Sequence, residues 1–237
     1  MVEGHPLEVQ RDCPDRMPRF ERQANPVGGN PPVFLRGSGP MTILVTGATG
    51  FLGRAVVDHL IGEGRAVRAA VRRDPGPGAV AVGELSADTD WSAALAGIDA
   101  VVHCAARAHV LNETSDNPLA RFRAVNTEAT VALAQQAAAA GVRRFVFISS
   151  IGVNGSETHG TPFRHDDPPQ PHSPYAVSKH EAELALHAIA AETGLEVVVI
   201  RPPLITGPDP KGNLATLNKA IARGLPLPFG LVTTNRR

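Results

Sequence analysis

Cysteine is nearly absent from this chain. Cys13 stands in a polar segment and Cys104 in an apolar run, so neither a disulfide framework nor a cysteine-based metal site is expected. No apolar run is long enough to span a bilayer. The opening Met1-Val2-Glu3-Gly4-His5-Pro6 lacks the apolar stretch of a secretory signal, which makes the cytoplasm the default expectation. Excess charge is also missing: 23 basic and 23 acidic residues balance to a formal net charge of zero, and nothing there points to a nucleic-acid partner. His165 and His172 flank Asp166 and Asp167 in a proline-rich loop and read as solvated, so no metal is expected. Tyrosine and lysine are scarce too. There is one tyrosine, and there are three lysines against twenty arginines, yet Tyr175 stands four residues before Lys179.

That spacing places both side chains on one face of a helix. Pro174 to Thr193 reads as such a helix, with proline at its start and Gly194 after its end. A phenol has a reference pKa of roughly 10, so making it a proton carrier near neutrality means a shift of about 3 units, or roughly 4 kcal/mol. A nearby positive charge favours the phenolate. On this pair alone, a solvated helix face with an incidental Tyr and Lys remains an equal alternative.

A second feature lies far upstream. Thr42-Ile43-Leu44-Val45-Thr46 reads as a buried parallel strand and Phe51 to Ile61 as a helix, so Gly47-Ala48-Thr49-Gly50-Phe51-Leu52-Gly53 forms a strand-to-helix turn. Glycines let the backbone approach a pyrophosphate closely, and the helix start offers free N–H groups and a positive dipole end.

With these two features together, the chain from residue 41 to 237 resembles the extended short-chain dehydrogenase/reductases, or NAD-dependent epimerase/dehydratases. Gly47, Gly50 and Gly53 match the family's GxxGxxG, and Tyr175 to Lys179 its YxxxK. The resemblance implies an α/β fold with a doubly wound parallel sheet, the cofactor lying across the carboxyl ends of the strands. It implies a catalytic Ser at the end of the fifth strand, Arg143 to Ser150; the register of Val153-Asn154-Gly155 assigns Ser150, with Ser149 the close second choice. Asn126 matches the family asparagine near the active site. Ala105 and Ala106, after the fourth strand, and Pro202, after the sixth, would line the cofactor together with Thr49, Phe51 and Leu52.

Cofactor choice turns on the end of the second strand, where NAD-preferring relatives commonly carry an acid. Val71 stands there instead, followed by Arg72 and Arg73, which could pair with a 2′-phosphate, so NADP is favoured over NAD. Glu84-Leu85 resembles the family's acidic-apolar pair near the adenine and is read as leaving the phosphate argument unchanged.

The resemblance implies hydride transfer between a nicotinamide and a carbinol carbon. Tyr175 would act as acid/base, Ser150 would bind the reacting oxygen, and Lys179 would tune Tyr175 and hold the ribose. Relatives that eliminate water carry an acidic pair directly after the catalytic Ser/Thr. Ile151 and Gly152 stand there, which disfavours dehydration and leaves epimerisation or ketone reduction. The turn looks most like that of bacterial nucleotide-sugar 4-epimerases and 4-ketoreductases. Asn213 and Phe229 would then hold the nucleoside diphosphate, Arg237 would bind its phosphates, and a homodimer would form through the fourth and fifth helices.

The expected organisation is a disordered extension over 1–40, a dinucleotide-binding Rossmann domain over 41–207, and the start of a substrate-binding region over 208–237 that looks truncated. Met41 is a candidate natural start. Two alternatives stand beside the nucleotide-sugar reading: a non-catalytic NAD(P)-binding protein, and a reductase of a non-sugar ketone.

Overall fold

Thr42–Thr46 forms β1, with Ile43 to Thr46 buried, and the chain then turns through glycines into α1, Phe51–Gly62. The computed structural model describes residues 41–108, 117–158, 160–208 and 213–227; the 1–40 segment, Phe229 and Arg237 lie outside the described residues. There follow β2 (Ala66–Val71), β3 (Ala79–Ala81), the short α2 (Ser92–Leu95) and β4 (Ala100–His103). Next come α3 (Pro118–Arg123), a π-type turn at Ala124–Glu128, α4 (Ala129–Ala139) and β5 (Arg144–Ile148). A 3-10 turn at Ile151–Val153 precedes α5 (Pro174–Thr193), β6 (Glu196–Ile200) and α6 (Asn213–Ala222).

All pairings are parallel, in the order β3-β2-β1-β4-β5-β6. The winding direction reverses between β1 and β4, which register Thr46 against His103, and ligands of such sheets bind at this reversal beyond the carboxyl ends. The doubly wound α/β expectation therefore holds. The sequence reading counts a third strand without placing it, because the three residues of β3 carry no usable alternation.

Helices cover a core that includes Leu44, Val101, Phe145, Leu133, Leu186 and Trp91, each fully buried. Each such side chain contributes about 1.5–3 kcal/mol by leaving water. Helix α5 has the bounds read from sequence, and the local causes are visible. Ser173 accepts a hydrogen bond from Ala176 N at 3.1 Å, Pro174 occupies the first turn, and Gly194 ends the helix at φ 76°. Its buried face includes Ala176, Ala182, Leu186 and Ile189, and also two charged residues, Lys179 and Glu183. Charged groups are buried this deeply only when paired or hydrogen-bonded. Among the described residues, no helix is long and apolar enough to cross a membrane.

Candidate active site

At the carboxyl end of β1 the turn is packed so tightly that its glycine positions have no room for a side chain. Gly47 sits at φ 65°, and a Cβ there would lie 2.7 Å from Ala105 N and 2.8 Å from Ala105 Cα. Gly50 N donates to Gly47 O at 2.8 Å, and Gly50 begins α1 with no side-chain cap. A Cβ on Gly53 would fall 2.1 Å from Gly47 O. The first turn of α1 thus presents its N–H groups and dipole to the crevice beside glycines that leave the backbone open to close approach, which fits a pyrophosphate.

A cavity of about 370 Å³ opens from this turn along the strand ends. Gly47, Thr49, Gly50, Arg72, Glu84, Leu85, Ala105 and Ala106, all expected from sequence, line it with Val71, Cys104 and Arg107. Arg73 joins Thr49, Val71, Arg72 and Glu84 around an adjoining recess. Phe51 is partly buried under the loop after β6, where a Cβ on Gly207 would meet its ring at 3.2 Å. Leu52 is likewise partly buried on the first turn.

Glu84, read from sequence as leaving the phosphate argument unchanged, places its Oε1 3.4 Å from Arg72 Nη1, with both side chains about 70% exposed (70% and 69%). The carboxylate missing after β2 is supplied to the same recess from residue 84, and Arg72 already has an anionic partner. A pair this exposed contributes at most about 1 kcal/mol to stability.

Beneath the turn lies a histidine that the sequence reading left unremarked except as part of the fourth strand. His103 is fully buried, with Nδ1 2.6 Å from Thr46 Oγ1 and Nε2 3.0 Å from Thr130 Oγ1. Thr130 Oγ1 donates to Asn126 O at 2.8 Å, so it can only accept from the ring, which places the imidazole proton on Nε2. Nδ1 then accepts from Thr46 Oγ1, which itself accepts from Ala105 N at 3.3 Å. Burial, with the Lys179 charge second, pushes the His103 pKa down to about 3. The sign follows: between an unfolded value of 6.5 and about 3, the unfolded chain binds a proton that the fold excludes. Stability from this group is complete above that window and falls as pH drops through it, by up to about 1.4 kcal/mol per unit. Thermal melts from pH 7 to 4 should therefore fall more steeply for the wild type than for His103→Asn; parallel slopes would show that His103 does not govern the acid limb.

Beyond the carboxyl end of β5, outside the residues that line this cavity, the two serines part ways. Ser149 is buried, and its Oγ donates to Glu183 Oε1. Ser150 is half-buried and starts the 3-10 turn, its Oγ accepting from Gly152 N at 3.1 Å. A Cβ on Gly152 would lie 3.3 Å from Ser150 Oγ and 3.4 Å from Ala176 Cβ, so this turn abuts the residue next to Tyr175. Ile151 N donates to Pro202 O at 3.0 Å, which draws the end of β6 to the same place.

Tyr175 packs edge-on against Phe122, ring centroids 6.0 Å apart, and burial raises its pKa. Burial therefore favours the protonated phenol over the phenolate. Lys179 is 1% exposed; Nζ donates to Ile148 O at 2.9 Å and sits 4.4 Å from the centre of the Phe147 ring. Burial lowers its pKa to about 7, against the opposing pull of Cys104 and Glu183. Asn126 is fully buried rather than exposed as mid-helix asparagines commonly are. Its Oδ1 accepts from Arg107 N at 2.8 Å, and Nδ2 donates to Arg107 O and to Ser178 Oγ, both at 3.1 Å. Ser178 Oγ in turn donates to Tyr175 O at 2.7 Å. The side chain of Asn126 therefore joins the cofactor wall to the start of α5. That is a positioning place, away from the cavity lining.

Asn213 opens α6 as expected, while the phosphate and base contacts assigned to Arg237 and Phe229 fall outside the described residues. Sequence reasoning missed Trp91, which lines the cavity from a position with no motif around it, and it missed Glu183 and Arg201. A signal existed for Glu183: it repeats the four-residue step from Tyr175 to Lys179 on the same helix face.

A parallel sheet in this order, with a glycine-rich turn at its reversal, defines a dinucleotide-binding domain of the doubly wound class. The chain belongs to the NAD dependent epimerase/dehydratase family, which matches residues 43–236. The UDP-glucose 4-epimerase of Vibrio cholerae is 46% identical over 206 residues, covering 84% of this chain and 62% of that protein. Among solved structures, MoeE5 in complex with UDP-glucose and NAD is 33% identical at TM-score 0.66, covering 78% of this chain and 62% of the other. The UDP-glucose 4-epimerase of Thermotoga maritima with UDP-glucose is 29% identical at TM-score 0.66, covering 78% and 64%. The chain therefore spans less than two thirds of the length of each of these relatives.

Proposed function

We propose that this chain interconverts a hydroxyl and a ketone at C4 of a nucleotide sugar, as an NAD(P)-dependent epimerase or ketone reductase. The observation that carries this reading is the presence of two parts on one sheet: a glycine turn that admits close backbone approach, and the Ser150 turn packed against the helix start that bears Tyr175. The bound dinucleotide would supply hydride exchange. Ser150 Oγ would hold the reacting oxygen, Tyr175 would give or take its proton, and Lys179 would come to the ribose from its present place under Ile148. Gly152, between Ser150 Oγ and Ala176 Cβ, leaves little room for the carboxylate that water elimination uses.

Cofactor preference follows from opposed charges. Val71 with Arg72 and Arg73 favours a 2′-phosphate, while Glu84, 3.4 Å from Arg72, opposes it. We expect a modest preference for NADP(H), and calorimetric titration favouring NAD(H) would reverse it. UDP-sugars are the substrates to try first, since the relatives named above act on or bind UDP-glucose. A homodimer through α4 and α5 and a cytoplasmic setting belong to the same reading.

The deciding experiment incubates the protein with UDP-glucose and other UDP-hexoses and follows the C4 configuration by NMR. An epimerase should convert its substrate with retained cofactor in catalytic amount, whereas a reductase should consume added NAD(P)H stoichiometrically. Dinucleotide binding with no turnover of any nucleotide sugar would overturn the reading in favour of a binding protein or a non-sugar reductase.

A further inference from the structure

Glu183 lies on the buried face of α5, four residues beyond Lys179, with its side chain 3% exposed. Arg201, the first residue after β6, lays its guanidinium along that carboxylate. Nη2 donates to Oε2 at 2.6 Å, and Nε donates to Oε1 at 3.0 Å and Oε2 at 3.2 Å. Oε1 also accepts from Ser149 Oγ. The other end of the fork, Nη1, reaches Asn154 Oδ1 at 3.2 Å, and Asn154 Nδ2 donates to Arg164 O at 2.9 Å. His180 Nδ1 faces the carboxylate from 4.0 Å.

This network ties together three parts of the chain around the proposed reacting centre: α5, the turn after β5 and the end of β6. It grips α5 one turn after Lys179, the residue before Ser150, the turn that follows Ser150, and the residue before Pro202. Backbone bonds run beside it, Ser149 N to Ile200 O at 2.7 Å and Ile151 N to Pro202 O at 3.0 Å. A buried ion pair is a poor device for stability, because desolvating both charges offsets their attraction, and packed apolar residues often hold a fold as well. What apolar contacts lack is direction. A planar fork on a carboxylate fixes angle and register together. Adjacent extended residues point to opposite sides, so anchoring Ser149 Oγ inward turns Ser150 toward the cleft.

We infer that Glu183 and Arg201 are positioning residues that set Ser150 against Tyr175 and Lys179. The inference rests on the proposed function for its kinetic consequence, though not for its structural one. A misplacement of about 1 Å can lower a rate roughly 10²-fold without altering substrate binding, and the pair restrains displacements on that scale.

The test separates positioning from packing. Glu183→Gln alone should lower the melting temperature, since it strands the guanidinium. Glu183→Met with Arg201→Met should restore the melting temperature close to wild type. Its kcat should stay roughly 10-fold to 10²-fold low with KM little changed, and the amides of residues 149–154 should exchange with deuterium faster than in wild type. Arg201→Lys, which keeps the charge and loses the fork, should also lower kcat. A double variant or an Arg201→Lys variant with wild-type kcat and wild-type exchange would overturn the inference, as would a kcat that recovers in step with melting temperature. If the wild type turns over no nucleotide sugar, the functional reading fails on its own; exchange at 149–154 still decides whether the pair holds this turn.

Discussion

Tyr175→Phe should lower turnover by roughly 10² or more while leaving dinucleotide affinity little changed. The ring stays in place against Phe122, so packing is conserved and only the transferable proton is lost. Burial raises the Tyr175 pKa, and the Lys179 ammonium donates to Ile148 O. A phenolate gains from a cation beside it, and Lys179, one turn along α5, is the group we expect to supply it. Its own pKa of about 7 means that near neutrality the amine carries its charge only part of the time. Lys179→Met should accordingly damage both turnover and cofactor affinity, the two effects that Tyr175→Phe separates. A Tyr175→Phe protein with turnover close to wild type would remove Tyr175 from the chemistry.

What could be read from sequence was what is local in the chain. The glycine turn declares itself because a strand, three glycines and a helix follow one another directly between Thr42 and Gly62. Helix α5 was legible to the residue because Ser173, Pro174 and Gly194 set its ends through bonds to near neighbours. The preference for Ser150 over Ser149 comes from register; the fold leaves Ser150 half-buried and buries Ser149 against Glu183. The unread parts depend on partners far away in sequence. His103 is positioned by Thr46, 57 residues before it, and Thr130, 27 after. Glu183 finds Arg201 and Ser149 across a helix and two strands. Glu84 meets Arg72 only because the chain folds back through β3, too short to show a period.

Gly53→Ala should reduce dinucleotide affinity by roughly 10²-fold or more, because the glycine turn depends on contacts that no flexible side chain can relieve. The added methyl would stand 2.1 Å from Gly47 O and 2.7 Å from Gly47 C, both backbone atoms. Gly47 cannot retreat easily, since a Cβ at its own position would already meet Ala105 N at 2.7 Å, and its carbonyl accepts from Gly50 N at 2.8 Å. To admit the methyl, α1 must move away from β1, carrying its first-turn N–H groups off the place a pyrophosphate would take. Gly62, at the end of the same helix, is the control. A Cβ there meets nothing within 4 Å, so Gly62→Ala should leave affinity unchanged and stabilise the helix slightly. Titration calorimetry with NAD(H) and NADP(H) measures both variants. If Gly53→Ala binds either dinucleotide as tightly as Gly62→Ala does, the cofactor does not lie across this turn.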